Sequence, residues 1–414
     1  MNTTENEIRD VPPANAPQGQ YPYYIDEYQD YRGMNRFMLL IISATLLPWL
    51  FGGYAILGFT VTGWAWVVPL VISFFICLPN IERISFPIFV WSFWAVLLSV
   101  YYYYGLNNPY AGQNFLQMIS PLIVGCAAST FRADTAQLEI VFQWISRLAF
   151  ITLTLFIIRV PMIIVGTLPN IGIMAPEMIG LLLLGSLYAS FYICGSYRHL
   201  YYYLLIILMT FVALVRGPMA AMLSCLPLNL APIGIGKRFA ICGCVIIFTI
   251  VIFNTERVQQ RMFSSGSGEI NEMHWNNPDL KKSGRSVFFD ILWPRFIDNP
   301  IWGNGFNAYR SIFSAEGLDR ALPHNDWLKL LHDIGIVGAG TYLCTMLLQI
   351  FLLVNIARLS TGVHQMVAYG AATAFVPYIL IMFTDNVVLY VQFFGNAHFA
   401  LIGIIYGAMI RDEI

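Results

Sequence analysis

Arg216, Arg285 and His324 are the side chains whose types and settings could do chemistry in this sequence. Arg216 stands in Val215-Arg216-Gly217-Pro218, between two apolar stretches. Gly-Pro breaks the chain there, and Pro218 suits the first turn of a following helix. A cation beside a helix N-terminus meets the positive end of the peptide dipole, and an intervening anion relieves that repulsion. An arginine snorkelling to lipid headgroups is the alternative. Arg285 follows Gly284 at the start of an amphipathic stretch. Alone it reads as a solvated loop arginine, but two guanidinium forks together suit a pyrophosphate. His324 lies between Pro323 and Asn325 where the chain re-enters an apolar stretch. Its type titrates near neutrality and can accept a proton from a sugar hydroxyl, with an interfacial or capping histidine as the alternative.

Weaker candidates surround these three. Arg295 and Arg310 could share the anion-binding role, and Asn325 could support His324. His332 reads as a packed or surface residue, or as support for the site. Lys281-Lys282 reads as a solvated charge pair. Arg147 and Glu177 fall within or near apolar spans, where ionisable residues are functional candidates. His398 reads as a hydrogen-bonded core histidine. No nucleotide-cradling glycine loop, Gly-x-Ser-x-Gly elbow or HExxH is present. The seven cysteines lie in or beside apolar spans and give neither a disulfide framework nor a zinc pattern. Cys242-Gly243-Cys244 reads as small residues for helix packing. No metal or cofactor is expected.

The elements that must position these residues are membrane helices. The chain has 414 residues, 58% hydrophobic and 11% charged, against about 25% charged in soluble domains. A net charge of -1 excludes an electrostatic nucleic-acid surface. Apolar spans are expected at 37–58, 64–79, 86–104, 113–130, 139–158, 175–195, 199–215, 218–233, 237–254, 329–355, 365–383 and 389–410. The predicted fold is therefore an all-α polytopic membrane protein of about 12 transmembrane helices. Residues 1–36 read as a disordered cytoplasmic tail, 37–254 as spans 1–9 and 329–414 as spans 10–12.

Between spans 9 and 10 lies a polar block, 255–328, which holds 17 of the chain's 45 charged residues by position 326. Arg83, Arg132, Arg198, Lys237, Arg238, Arg358 and Arg411 fall on one side of the spans, against Arg159 and Arg216 in short connections on the other. The positive-inside rule then puts both termini in the cytoplasm and the block in the periplasm. Ser286–Ile297 has apolar residues at helical spacing and reads as a helix lying on the membrane surface. Gly305–Ser314 reads as a second short helix.

These pieces, in this order, resemble the O-antigen ligase and O-antigen polymerase superfamily of bacterial surface-polysaccharide assembly. The resemblance covers roughly 205–345. It consists of Arg216 in a span hairpin, Gly284-Arg285 with Trp293 downstream, and the run Asp298-Asn299-Pro300-Ile301-Trp302-Gly303-Asn304-Gly305. His324-Asn325-Asp326-Trp327-Leu328 and Leu331-His332-Asp333-Ile334-Gly335-Ile336-Val337-Gly338 complete it. The family often has Ser before the hairpin arginine, where this chain has Val215. The resemblance implies a periplasmic glycosyl transfer from an undecaprenyl-pyrophosphate-linked oligosaccharide, with membrane lipid and a chain-length regulator as further partners. It implies a polymerase of exopolysaccharide or O-antigen repeat units, or a ligase acting on lipid A-core. A flippase for the lipid-linked sugar is the reading from another class, but no half-to-half repeat favours it.

Overall fold

A computed structural model describes residues 21–51, 54–164, 175–195, 197–213, 215–274, 277–281, 285–318 and 322–412. The bundle comprises α1 (Tyr21–Phe51), α2 (Val61–Cys77), α3 (Ile88–Tyr104), α4 (Ala111–Ser129), α5 (Thr135–Ile164), α6 (Ala175–Cys194), α7 (Arg198–Val212), α8 (Arg216–Ser224) and α9 (Ile235–Phe253). The polar block folds as α10 (Glu256–Met262), α11 (Arg285–Asp298) and α12 (Ala308–Ala315). Helices α13 (Asp326–Leu359), α14 (Gly362–Ile381) and α15 (Gly395–Asp412) complete it. The sole sheet among the described residues is a two-residue hairpin, Ala55–Ile56 with Phe59–Thr60.

A helix occurs at each expected span. The stretches Val61–Arg83, Ile235–Phe253 and Asp326–Leu359 are long and apolar enough by themselves to cross a membrane. The expected eighth span is different. Helix α8 has 9 residues, about 13 Å at 1.5 Å per residue, too short for a hydrocarbon core of about 30 Å. The chain leaves it through turns at 225–228, with Pro227 and Pro232 unable to extend a helix. The tail also departs from expectation, because α1 is helical back to Tyr21. Extending an existing helix fixes one residue per added bond, whereas a new nucleus is costly. Residues 1–20 lie outside the described residues.

Helix α4 packs on α15, α6 on α14, and α13 on α14, around one large core. Small residues permit the closest approach: a methyl group at Gly403 would lie 2.2 Å from the Gly125 carbonyl oxygen. Backbones meeting this way are favoured where lipid provides no hydrophobic drive between helices. Phe75, Phe89, Phe93, Phe239 and Ile247 are each more than half exposed, as lipid-facing side chains would be. Helix α9 is peripheral, with none of its apolar window buried. Gly243 faces open space and Cys244 is exposed, so these two do not pack a helix interface among the described residues.

Candidate active site

Helix α13 determines how the polar block sits. It breaks at Gly335 (φ 64°, ψ -173°), a conformation accessible essentially to glycine alone. A break in a helix orphans amide and carbonyl groups, which must find partners elsewhere. The run Asn299–Gly305 supplies them. Ile336 N–H donates to the Pro300 carbonyl at 2.8 Å and Val337 N–H to that of Ile301 at 3.2 Å. In return, Asn304 and Gly305 donate to the His332 and Asp333 carbonyls, each at 2.9 Å. The Asp298–Gly305 and Leu331–Gly338 motifs are thus two halves of one joint. A Cβ at Gly303 would lie 2.5 Å from the Gly335 nitrogen, leaving no room for a side chain.

Around this joint the second half of the block forms a small core of its own. Leu292 of α11, Tyr309 and Phe313 of α12, and Leu328 of α13 are buried together. Beneath them lies a sealed polar cluster. Lys329 and His332 are buried, and His332 Nδ1 pairs with Asp333 Oδ1 at 2.8 Å. Asp333 Oδ1 also accepts the Tyr309 N–H at 3.1 Å. The Lys329 ammonium lies 5.3 Å from the Tyr309 ring centroid, within cation–π range. Burial pushes the Tyr309 phenol well above its ordinary range, so it stays neutral.

The block's first half holds itself together differently. Phe263 and Leu280 form an antiparallel bridge. Ser265 donates to Asp279 through both its hydroxyl and its N–H, and the hydroxyl contact holds the Asp279 carboxyl below its usual range. Lys281 is tied in as well, with Nζ donating to the Gln260 carbonyl at 2.6 Å, so it is not merely a solvated charge.

His324 enters from the block at the threshold of α13. Its backbone is left-handed (φ 50°), a conformation that costs a non-glycine residue energy and occurs often at functional sites. The turn joining α14 to α15 holds it. The His324 N–H donates to Asn386 Oδ1 at 3.1 Å. Its ring Nδ1 lies 3.2 Å from Asn386 Nδ2 and 3.4 Å from Asp385 Oδ1. The ring is 42% exposed, whereas the Asp385 side chain is 7% exposed. A ring proton on Nδ1 facing Asp385 leaves Nε2 as an acceptor, the form a general base requires. Asn386 Nδ2, as a donor, favours the opposite tautomer, so the two neighbours set the ring's proton between them.

Gly217 brings the chain at Arg216 against the same turn. Arg216 opens α8, as the Gly-Pro signal predicts. A Cβ on Gly217 would lie 2.7 Å from Thr384 Oγ1, so only glycine lets α8 approach the residue before Asp385 this closely. The Arg216 guanidinium donates through both terminal nitrogens to the Lys281 carbonyl, at 3.2 and 3.1 Å. It also lines an apolar cavity of about 300 Å³ between α7, α8, α9 and α10, with Phe211, Leu223, Phe253 and Met262.

The other sequence candidates divide. Arg285 opens α11, but its side chain lies outside the described residues, as do those of Glu177 and Lys282. Arg295 donates to the Ile291 carbonyl of its own helix at 2.6 Å and pairs with Glu316 at 3.7 Å. Arg310 stacks on the Tyr110 and Tyr309 rings at 5.4 and 5.2 Å. Both arginines hold the block together, and these contacts do not aim them at His324. Asn325 caps α13, its side chain accepting the Leu328 N–H at 2.9 Å. Arg147 is exposed beside the Trp144 ring. His398 is buried and bonds the Ala371 carbonyl at 2.7 Å. No group of residues suited to a metal occurs among the described residues.

Asp385 and Asn386 are partners of the candidate His324 that the sequence analysis did not single out. A signal was present, since Asp385 is the sole Asp, Glu, Lys or Arg between Arg358 and Arg411. No curated protein matches the chain significantly. Residues 201–343, which carry Arg216, Arg285 and His324, match the family model described as O-antigen ligase, and the match supports the resemblance to the O-antigen ligase and polymerase superfamily.

Proposed function

We propose that the protein is a metal-independent polysaccharide polymerase that joins undecaprenyl-pyrophosphate-linked repeat units at the periplasmic face of the inner membrane. In this reading eleven helices cross the membrane and the largely buried non-helical run 225–234 completes the crossing that α8 begins, so that both termini are cytoplasmic and the block from 255 to 328 is periplasmic. The observation that carries it is the shared turn. Ile381–Asn386 packs against Gly217, the neighbour of Arg216, and against His324. Positions 216 and 324, a cation suited to phosphate and a base suited to a hydroxyl, are thus anchored on one turn. The apolar cavity beside Arg216 supports a lipid-borne phosphate over a soluble one.

His324 Nε2 takes the proton of an acceptor sugar hydroxyl as its oxygen attacks the donor's anomeric carbon. A new glycosidic bond forms, and the bond from that carbon to the pyrophosphate oxygen breaks. The departing pyrophosphate gains negative charge, which Arg216 offsets together with Arg285. A charge pair at about 4 Å and an effective dielectric of about 20 is worth roughly 4 kcal/mol, so one well-placed arginine has a large effect on rate.

Transfer of finished glycan to lipid A-core is the second reading, favoured by the ligase description of the matching family. A deletion strain separates them: single repeat units mean polymerase, and full chains left on the carrier lipid mean ligase. Arg216→Ala should abolish transfer from a synthetic polyprenyl-pyrophosphate donor while the protein still inserts. Lysine should rescue only partly, because a point charge lacks the two-pronged grip. Unchanged transfer by the alanine variant would remove the pyrophosphate site.

A further inference from the structure

Asp326 has no part in the transfer step above, yet it is 0% exposed and sits two residues from His324. Its bonds run to one place. The Asp326 N–H donates to the Met382 carbonyl at 2.8 Å and to the Asp385 carbonyl at 3.3 Å. Its Oδ2 accepts the Val388 N–H at 2.8 Å. The grips fall at Met382, Asp385 and Val388, in the first half of the segment between α14 and α15, so they hold Asp385 directly and bracket Asn386. The segment's own backbone bonds are isolated turns such as Thr384 N–H to the Ile381 carbonyl at 2.8 Å, and partners from α13 add to them.

The electrostatic setting has a cost that this role would explain. Asp326 Oδ1 is buried without a hydrogen-bond partner among the described residues. Lys329, 2% exposed and one turn along α13, is the cation that faces Asp326. Apolar residues often replace such buried pairs without loss of stability. A buried carboxylate gripping a functional turn therefore points to geometry.

We infer that Asp326 is a positioning residue, clamping the Met382–Val388 turn so that Asp385 and Asn386 stand against the His324 imidazole. The inference rests on the reading of His324 as the base.

Two double variants that remove both charges of the Asp326–Lys329 pair test it. Asp326→Asn with Lys329→Met keeps an acceptor for Val388, and Asp326→Leu with Lys329→Met removes it. The full-length protein in detergent would be assayed on a synthetic lipid-linked donor. Its hydrogen exchange would be followed on peptides covering the turn. The leucine pair should speed exchange in the turn and lower kcat about 10²-fold, the scale of a misplaced group, with KM within about threefold. The asparagine pair should stay within about threefold of wild type in kcat. Added to His324→Ala, the leucine pair should change the residual turnover less than about threefold, because its effect passes through the imidazole. Unaltered exchange in the leucine pair would overturn the clamp. So would a loss in the leucine pair that multiplies in full onto that of His324→Ala. Normal turnover by His324→Ala would sink the base assignment itself, while exchange in the turn, read without turnover, still shows whether Asp326 holds it.

Discussion

Two polar clusters flank the start of α13, built from similar side chains and put to different use. One sets His324 against Asp385 and Asn386; the other sets His332 against Asp333, beside Lys329 and Tyr309. The first ring is 42% exposed, whereas the second is fully buried under the roof formed by Leu292, Phe313 and Leu328. The first backbone is left-handed; His332 lies within a helix whose carbonyls are taken by Asn304 and Gly305. An imidazole beside a carboxylate is therefore not a site in itself. Access to substrate separates a base from a strut.

The comparison is broken most directly at His324. His324→Ala should lower turnover about 10²–10⁴-fold, the usual contribution of a positioned proton acceptor, with the protein present at normal abundance. Assay of the purified variant on a lipid-linked donor settles this, and turnover within a few-fold of wild type would make His324 a strut like His332.

The opposite result is expected at the sealed cluster. His332→Leu removes the ring bonded to Asp333 at 2.8 Å and leaves a buried carboxylate short of one partner. The cost should be about 1–3 kcal/mol of stability, seen as earlier thermal unfolding and lower abundance, with near-normal turnover per folded molecule. A large loss of turnover in fully folded protein would place His332 in the chemistry.

The smallest effect sharpens the boundary of the site. Arg295 and Glu316 are paired at 3.7 Å with side chains 41% and 50% exposed, a class worth about 0–1 kcal/mol. Arg295→Ala should leave both turnover and melting almost unchanged. A loss comparable to that of Arg216→Ala would restore Arg295 to the anion site.

Several parts were legible because local physics decides them. Helices stand at the predicted spans except that the eighth is helical only over Arg216–Ser224, since long apolar runs in lipid must satisfy their own backbone. Helix α11 follows the amphipathic period of Ser286–Ile297, and the Gly217-Pro218 break begins α8 at Arg216. The Asn325 cap is equally local, although the sequence reading assigned that residue to the site.

Tertiary structure decided what depends on distant partners. The break at Gly335 is unreadable without its complement at 299–305, because only that docked loop satisfies the freed backbone groups. Arg295 and Arg310 resembled anion ligands until Glu316, Tyr110 and Tyr309 were found beside them. Asp385 and Asn386 became partners of His324 only when a turn some sixty residues along the chain folded back onto it. Sequence determined which residues could hold charge or move a proton. The fold alone determined which were left open to do so, since burial and pairing are set by neighbours that the chain brings from afar.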